Sequence, residues 1–105
     1  MQTVNIDPSS GAVVNIGPVF WSEDLNVYFR NKTENWTGSF AVEVWNSAKK
    51  NTSYPVVGAL TVVDDLMTLR LAPEVQGLPV GNLYYEIWNN ARNRIYLKGQ
   101  LKIEE

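Results

Sequence analysis

Carboxylates are the residues of this sequence best suited to catalysis, because the chain contains neither histidine nor cysteine. Their absence excludes the commonest general base, thiol nucleophiles and the usual zinc ligands. Adjacent carboxylates occur at three places, Glu23-Asp24, Asp64-Asp65 and Glu104-Glu105. A glycosidase needs two carboxyl groups about 5–10 Å apart across a cleft, whereas adjacent residues of a strand point to opposite faces. We therefore expect no catalytic residues and no enzymatic activity.

Cofactor and metal sites are not expected either. The spacing of the acidic residues does not match an EF-hand calcium loop, and Asp64-Asp65 fits a tight turn. The glycine-containing segment 77–81 is not followed by the Lys-Ser or Lys-Thr pair of a phosphate-binding loop. A surface cation site formed by Asp64, Asp65 and backbone carbonyls is the one metal-binding alternative that the sequence leaves open.

Charge and hydrophobicity exclude two classes of partner. Nine basic residues against eleven acidic ones give a formal net charge of −2, which is unlike the basic surface that nucleic-acid binding needs. No apolar run approaches the roughly 20 residues that cross a bilayer. The first residues lack the charged and apolar regions of a signal peptide. We expect neither a nucleic-acid nor a membrane partner, and a location in the cytoplasm or in a larger particle.

Aromatic residues are the second group with functional potential, since the chain has four tryptophans and five tyrosines. Alternation along the predicted strands places five of the rings on outward faces: Tyr28, Trp45, Tyr84, Trp88 and Tyr96. Exposed aromatic rings mark protein interfaces, coplanar rings stack on sugars, and cross-strand pairs also stabilise a sheet. A protein interface, a carbohydrate site and simple sheet packing all stay open. Trp21 and Trp36 lie at strand edges or turns, where core and contact residues look alike.

The elements that position these rings are short strands. Apolar and polar residues alternate with a period of two over 25–30, 40–45, 67–71, 83–88 and 94–104. The segment 56–63 is a more evenly apolar strand, and 12–16 is a weaker candidate. Turn-rich segments separate them. This pattern predicts an all-β antiparallel sandwich of about seven short strands. Alternation assigns an inner face to Phe40, Val42, Leu69, Tyr85, Ile87, Leu97 and Leu101.

Domain organisation follows from length, because 105 residues form one domain of ordinary size. We expect a single domain over 1–105, in which 1–11 is a mobile arm or a pairing strand. Residues 73–77 fit one helical turn that begins at Pro73 and ends at Gly77, and Gly58 predicts a bend or bulge. Three Asn-X-Ser/Thr sequences, at Asn31, Asn35 and Asn51, are more simply explained as turns.

The carboxy-terminal half carries a more specific pattern. A strand ending at Asp64 is followed by a strand over 67–71, a Leu-Pro-Val-Gly connection, a tyrosine-rich strand and a final strand with a central Gly99. Over about 56–103 this order resembles small structural domains of tailed bacteriophages, including the immunoglobulin-like amino-terminal domain of baseplate upper proteins. The chain departs from the pattern at 89–93, where the more usual Asp-Gly turn is missing.

The resemblance implies an immunoglobulin-like sandwich that acts as a structural component of a virion tail, baseplate, fibre or decoration. The implied partners are other protein subunits, including further copies of the same chain, and the implied location is the virion, or the host cytoplasm before assembly. No catalytic residues are carried over from such families. A carbohydrate-binding module that uses exposed tryptophan and tyrosine rings is the alternative function.

Overall fold

A computed structural model describes residues 2–7, 11–46, 53–56, 59–89 and 94–105. Within these ranges the chain forms ten strands and one helical turn: β1 Gln2–Ile6, β2 Ala12–Val13, β3 Ile16–Phe20, β4 Leu25–Asn31, β5 Phe40–Trp45, β6 Ser53–Pro55, β7 Leu60–Val63, β8 Leu66–Leu71, α1 Pro73–Gln76, β9 Gly81–Asn89 and β10 Ile95–Glu104. The predicted all-β fold is confirmed.

The strands form two sheets. Sheet A has the order β1-β4-β8-β7, and sheet B has the order β2-β10-β9-β5-β6, with β3 also pairing with β10. The core between them includes Phe29 and Met67 from sheet A and Ile87 and Leu97 from sheet B, all 0% exposed. All seven residues assigned to the inner face are buried in this core or packed against it. Alternation identified the inner faces because each sheet has one face packed on the other.

Strand pairing differs from the antiparallel expectation at the amino terminus. β1 pairs in parallel with β4, from Gln2 opposite Val27 to Ile6 opposite Asn31, and both β2 and β3 pair in parallel with β10. The chain starts in sheet A and then changes sheets. Parallel neighbours need such a crossover, and the alternation of one strand does not identify its partner. Residues 2–6 thus form a pairing strand, and residues 8–10 lie outside the described ranges.

Gly99 lets the segment 12–20, here called the strap, run close alongside β10. A Cβ atom at Gly99 would overlap the carbonyl oxygen of Val14. That oxygen accepts a 2.6 Å hydrogen bond from the Tyr85 hydroxyl, and Asn15 Oδ1 accepts a 3.0 Å bond from the backbone N–H of Gln100. The central glycine of the last strand therefore serves close backbone approach.

The predicted turns fall where expected in the described ranges. α1 begins at Pro73, and Gly77 ends it in the left-handed conformation with φ of 74°. Asp64 and Asp65 connect β7 to β8, and Asp64 has φ of 55°, a conformation that aspartate tolerates better than most residues. The predicted bend at Gly58 and most of the turn at 89–93 lie outside the described residues.

Candidate functional site

The outer face of sheet B brings three of the five predicted aromatic residues together. Three successive rows cross β5, β9 and β10 on this face: Trp45–Tyr84–Gln100, Glu43–Glu86–Lys98 and Ala41–Trp88–Ile95. Residues directly opposite each other on neighbouring strands are in contact range. We call the surface formed by Trp45, Tyr84 and Trp88, with the charged row between them, the aromatic face.

The three rings of the aromatic face differ in exposure. Trp45 is only 7% exposed, although it lies outside the cluster of residues that fills the sandwich core. Tyr84 and Trp88 are partly exposed. Trp45 is therefore a buried part of the aromatic face, and the accessible aromatic surface comes from Tyr84 and Trp88.

A hydrogen bond orients the accessible indole. Trp88 Nε1 donates to Glu86 Oε1 over 3.0 Å, two residues away on the same side of β9. Glu86 lies between Glu43 on β5 and Lys98 on β10. Because the indole is held by a charged acceptor, part of its rotational freedom is lost before any partner binds. The face can thus offer oriented apolar surface beside both signs of charge.

Tyr28 does not join this surface. It lies on β4 in sheet A, opposite Thr3 of β1 and Thr68 of β8, with Thr61 next in the same row. The outer faces of the two sheets of a sandwich point in opposite directions. Tyr28 is therefore an isolated, partly exposed ring in a row of threonines.

Tyr96 also does not join the aromatic face, which corrects the expectation from simple alternation. The register shifts between Ile95, opposite Trp88, and Leu97, opposite Ile87, so that Tyr96 is the extra residue of a bulge. The Tyr96 ring packs against the core. Its centroid lies 5.8 Å from that of Trp36 and 5.3 Å from that of Phe40, in both cases edge to face. A bulge moves one side chain to a new direction, and alternation has no means of locating it.

The two ambiguous tryptophans have different roles. Trp36 is 6% exposed and donates from Nε1 to the carbonyl oxygen of Phe29 over 3.1 Å, so it belongs to the core. Trp21 donates from Nε1 to the carbonyl oxygen of Leu78 over 3.1 Å but is 39% exposed. Trp21 is therefore a surface residue held in a fixed orientation.

The rings of Trp36, Phe40 and Tyr96 form a group that we call the Trp36 cluster. A polar cleft of about 330 Å³ lies beside this cluster, at the end of the sandwich where β1 and β4 end. We call it the end cleft; its lining includes Asp7, Thr33, Asn35, Thr37, Arg94 and Tyr96. The Arg94 guanidinium carbon lies 4.7 Å from the centroid of the Tyr96 ring, within the range of a cation–π contact. Hydroxyl, amide and charged groups thus surround an aromatic wall.

The loop beside the end cleft is shaped by Asn31, which is 5% exposed. Its Oδ1 accepts hydrogen bonds from the Thr33 N–H at 3.0 Å, the Thr33 hydroxyl at 3.1 Å and the Glu34 N–H at 3.2 Å. Such bonds to the following residues define an Asx turn. A buried amide with this role fits the turn interpretation of the first Asn-X-Thr sequence. Asn51 lies outside the described residues.

Residues of the adjacent acidic pairs make structural contacts through their backbone or their side chains. The backbone carbonyl oxygen of Asp65 accepts from the N–H of Asn31 at the end of β4, and that of Asp64 accepts from the N–H of Trp36 in the following loop. Asp24 accepts two hydrogen bonds from Arg70, at 3.0 and 2.7 Å, and these bonds hold the pKa of Asp24 below its ordinary value. Across the described residues, no group of three or more acidic side chains gathers in a way that could hold a metal ion.

One exposed apolar surface was only partly indicated by the sequence. Four large apolar side chains lie uncovered where β3 ends and β9 begins: Phe20, Trp21, Val75 and Val80. The sequence left the role of Trp21 open and predicted a helical turn and a connection for the glycine- and proline-rich segment 73–81, which contains Val75 and Val80. Apolar residues in turn segments were the available signal.

Comparison with known proteins assigns no family or function to this chain. No family model matches the sequence, and no curated protein is significantly similar to it. None of the helical structure in the described ranges is long and apolar enough to cross a membrane.

Proposed function

We propose that this chain is a non-enzymatic assembly module that binds other protein subunits through the aromatic face. The observation that carries the proposal is the placement of Tyr84 and Trp88 on one sheet face, on either side of the charged row, with the buried Trp45 directly opposite Tyr84. Tyrosine and tryptophan are the residues most enriched at the energetic centres of protein interfaces. They offer large contact areas at a low cost in side-chain entropy.

The charged row adds specificity to this proposal. Glu43, Glu86 and Lys98 cross the face between the two aromatic rows. Charges arranged in a fixed order favour one orientation of a partner and disfavour others, while contributing less to affinity. A complementary partner would place a basic group against the two glutamates and an acidic group against Lys98.

The immunoglobulin-like part of the proposal is supported by strand order. β4-β8-β7 in sheet A and β10-β9-β5 in sheet B follow the order of strands B-E-D and G-F-C in immunoglobulin domains, and β6 occupies the place of an added edge strand. β1 departs from that arrangement, since it runs parallel to β4.

A role in a virion is supported by the resemblance to bacteriophage baseplate domains. The residues that carry the resemblance form β7, β8, α1, β9 and β10, which include the central strand of the aromatic face. We propose a location in the particle, or in the host cytoplasm before assembly. Mass spectrometry of purified particles tests this location: the chain should be found at a fixed ratio to the other structural proteins, and its absence would contradict a virion role.

The interface itself is tested with Trp88→Glu, because a carboxylate in the middle of an apolar contact must be desolvated. Sedimentation velocity of the chain, alone and co-expressed with the products of neighbouring genes, should show a complex that this variant loses. Thr61→Glu, an exposed position on the outer face of sheet A, is the control with the same added charge. A wild type that is monomeric with every neighbour would refute the proposal, as would equal behaviour of the two variants.

Carbohydrate binding is the second candidate, and the end cleft favours it. Thr33, Asn35 and Thr37 offer hydroxyl and amide groups to sugar hydroxyls beside the aromatic wall of Tyr96. Calorimetric titration with the best hits of a glycan array should show binding that Asn35→Ala weakens and that Asn26→Ala, exposed on sheet A, leaves unchanged. No binding at millimolar sugar would remove this candidate.

A further inference from the structure

A second apolar surface lies at the end of the sandwich away from the end cleft. β4 begins near Trp21 and ends at Asn31, which lines the end cleft, so the two features are separated by the length of that strand. The exposed side chains are Phe20 (47%), Trp21 (39%), Val75 (76%) and Val80 (48%). We call these four residues the apolar end.

Backbone hydrogen bonds hold the apolar end in place. The Trp21 N–H donates to the Glu104 carbonyl oxygen over 2.7 Å, and the Glu74 N–H donates to the Trp21 carbonyl oxygen over 3.1 Å. With the indole bond to the Leu78 carbonyl, these contacts tie the β3–β4 turn to β10, to α1 and to the connection before β9. A partner would therefore meet an ordered surface, which lowers the entropy cost of binding.

The apolar end also contains a recess. Trp21, Ser22, Val80 and Glu105 surround a cleft of about 350 Å³. This volume is at the low end of the range for small-ligand sites and suits one or two apolar side chains of a partner. The indole forms one wall and Glu105 adds a carboxylate at the rim.

The charge around the apolar end is negative. The basic residues Arg70 and Lys102 are each engaged by a carboxylate, at 2.7 Å to Asp24 and 3.2 Å to Glu104. Three further carboxylates border the apolar residues and form no ion pair within the described part of the chain: Glu23, Glu74 and Glu105. After mutual neutralisation of the pairs, the rim carries these three negative charges.

An acidic rim selects the kind of partner. In a two-fold symmetric dimer the same surface would face itself, and like charges brought together across an interface disfavour the contact. A partner with apolar side chains flanked by lysine or arginine satisfies both the recess and the rim. We propose that the apolar end is a docking surface, separate from the aromatic face, for an apolar and basic segment of another protein.

The test uses the full chain labelled with ¹⁵N and two synthetic peptides. One peptide has the sequence Lys-Lys-Leu-Trp-Leu-Lys-Lys, and the other replaces every lysine with glutamate. The four tryptophans give four indole N–H signals, which separate binding at Trp21 from binding at Trp88. The lysine peptide should shift the Trp21 signal, and the glutamate peptide should leave it in place.

Two variants and two controls check the chemistry of the site. The double variant Val75→Ser with Val80→Ser should lower the affinity for the lysine peptide by about tenfold or more, which corresponds to a loss of about 1.4 kcal/mol of binding free energy. Val63→Ser, at a valine on β7 whose exposure (63%) lies between those of Val75 and Val80, should have no effect on binding. The double variant Glu74→Lys with Glu105→Lys should weaken binding of the lysine peptide and allow the glutamate peptide to bind. Glu34→Lys, at the other end of the sandwich, should have neither effect.

Three results would overturn the proposal. The first is that the lysine peptide at millimolar concentration does not shift the Trp21 signal. The second is that both peptides bind equally well, which would contradict the role assigned to the acidic rim. The third is that the Trp21 signal shifts when the concentration of the chain alone is raised, and that Val75→Ser with Val80→Ser abolishes this shift. The occupant of the apolar end would then be a second copy of the chain. Failure of the Trp88→Glu experiment leaves this test unaffected, since the Trp21 and Trp88 signals are read separately.

Discussion

Tyr85→Phe gives the sharpest physical test of how the strap is attached to the core. The Tyr85 ring is 1% exposed, and its hydroxyl donates a 2.6 Å hydrogen bond to the Val14 carbonyl oxygen. Removing the hydroxyl leaves the partly buried Val14 carbonyl oxygen without this donor. A loss of this kind costs about 1–3 kcal/mol of unfolding free energy, and we expect about 2 kcal/mol near pH 8.

The pH dependence follows from the burial of the same group. Burial raises the pKa of Tyr85 well above its ordinary value, because the phenolate would lose its hydration. In the unfolded chain the phenol ionises near pH 10. The folded state therefore keeps its proton at pH values where the unfolded state has lost it, and stability falls as the pH rises. The contribution of the neutral phenol is fully present below about pH 10 and falls by about 1.4 kcal/mol for each pH unit above it.

Phenylalanine has no ionisable proton, so the unfolding free energy of Tyr85→Phe does not decline above pH 10 for this reason. The advantage of the wild type, about 2 kcal/mol near pH 8, should vanish near pH 11.5, since about 1.4 kcal/mol is lost per unit above pH 10. Urea unfolding of both proteins from pH 8 to 11.5 measures the difference. Contributions from other titrating groups are shared and cancel. Parallel stability curves, or equal stability at pH 8, would refute this account of the Tyr85–Val14 contact.

Two further predictions concern the close approach of the strap and the ion pair near the apolar end. Gly99→Ala should cost about 3 kcal/mol or prevent folding, as judged by urea unfolding, because its Cβ would overlap the Val14 carbonyl; a cost below about 1 kcal/mol would contradict this close approach. Arg70→Gln should return the pKa of Asp24 upwards to its ordinary range in an NMR titration, because the hydrogen bonds from Arg70 lower it; an unchanged pKa would show that the pair does not persist in solution.

Much of the fold was predictable because alternation reports burial directly. Ile87 and Leu97 were assigned to the inner face and are fully buried. The helical turn at Pro73 and the turn at Asp64 follow from local backbone preferences, which the sequence states plainly. The parallel pairing of β1 was not predictable, because the partner of an edge strand is set by where the chain crosses between sheets.

The candidate surfaces were only partly predictable, for two physical reasons. Tyr96 obeys the alternation of its strand in sequence, but a single extra residue in β10 turns its ring to the Trp36 cluster. Trp45 faces outward as predicted and is nonetheless 7% exposed, because facing away from the core does not determine what covers a ring. Trp21 and Val80 lie in connections, where no periodicity separates buried from exposed residues.

The two proposed surfaces should act independently of one another. Trp88 and Val80 are eight residues apart on one extended segment, which at about 3.3 Å per residue places them roughly 26 Å from each other. Effects at sites more than about 10 Å apart usually add within about 0.5 kcal/mol, and the added charge of Trp88→Glu is screened over about 10 Å at 0.1 M salt. The affinity of the lysine peptide for Trp88→Glu should therefore stay within about twofold of the wild-type value. A larger change, measured by the same Trp21 signal, would mean that the aromatic face and the apolar end are energetically coupled and do not act independently.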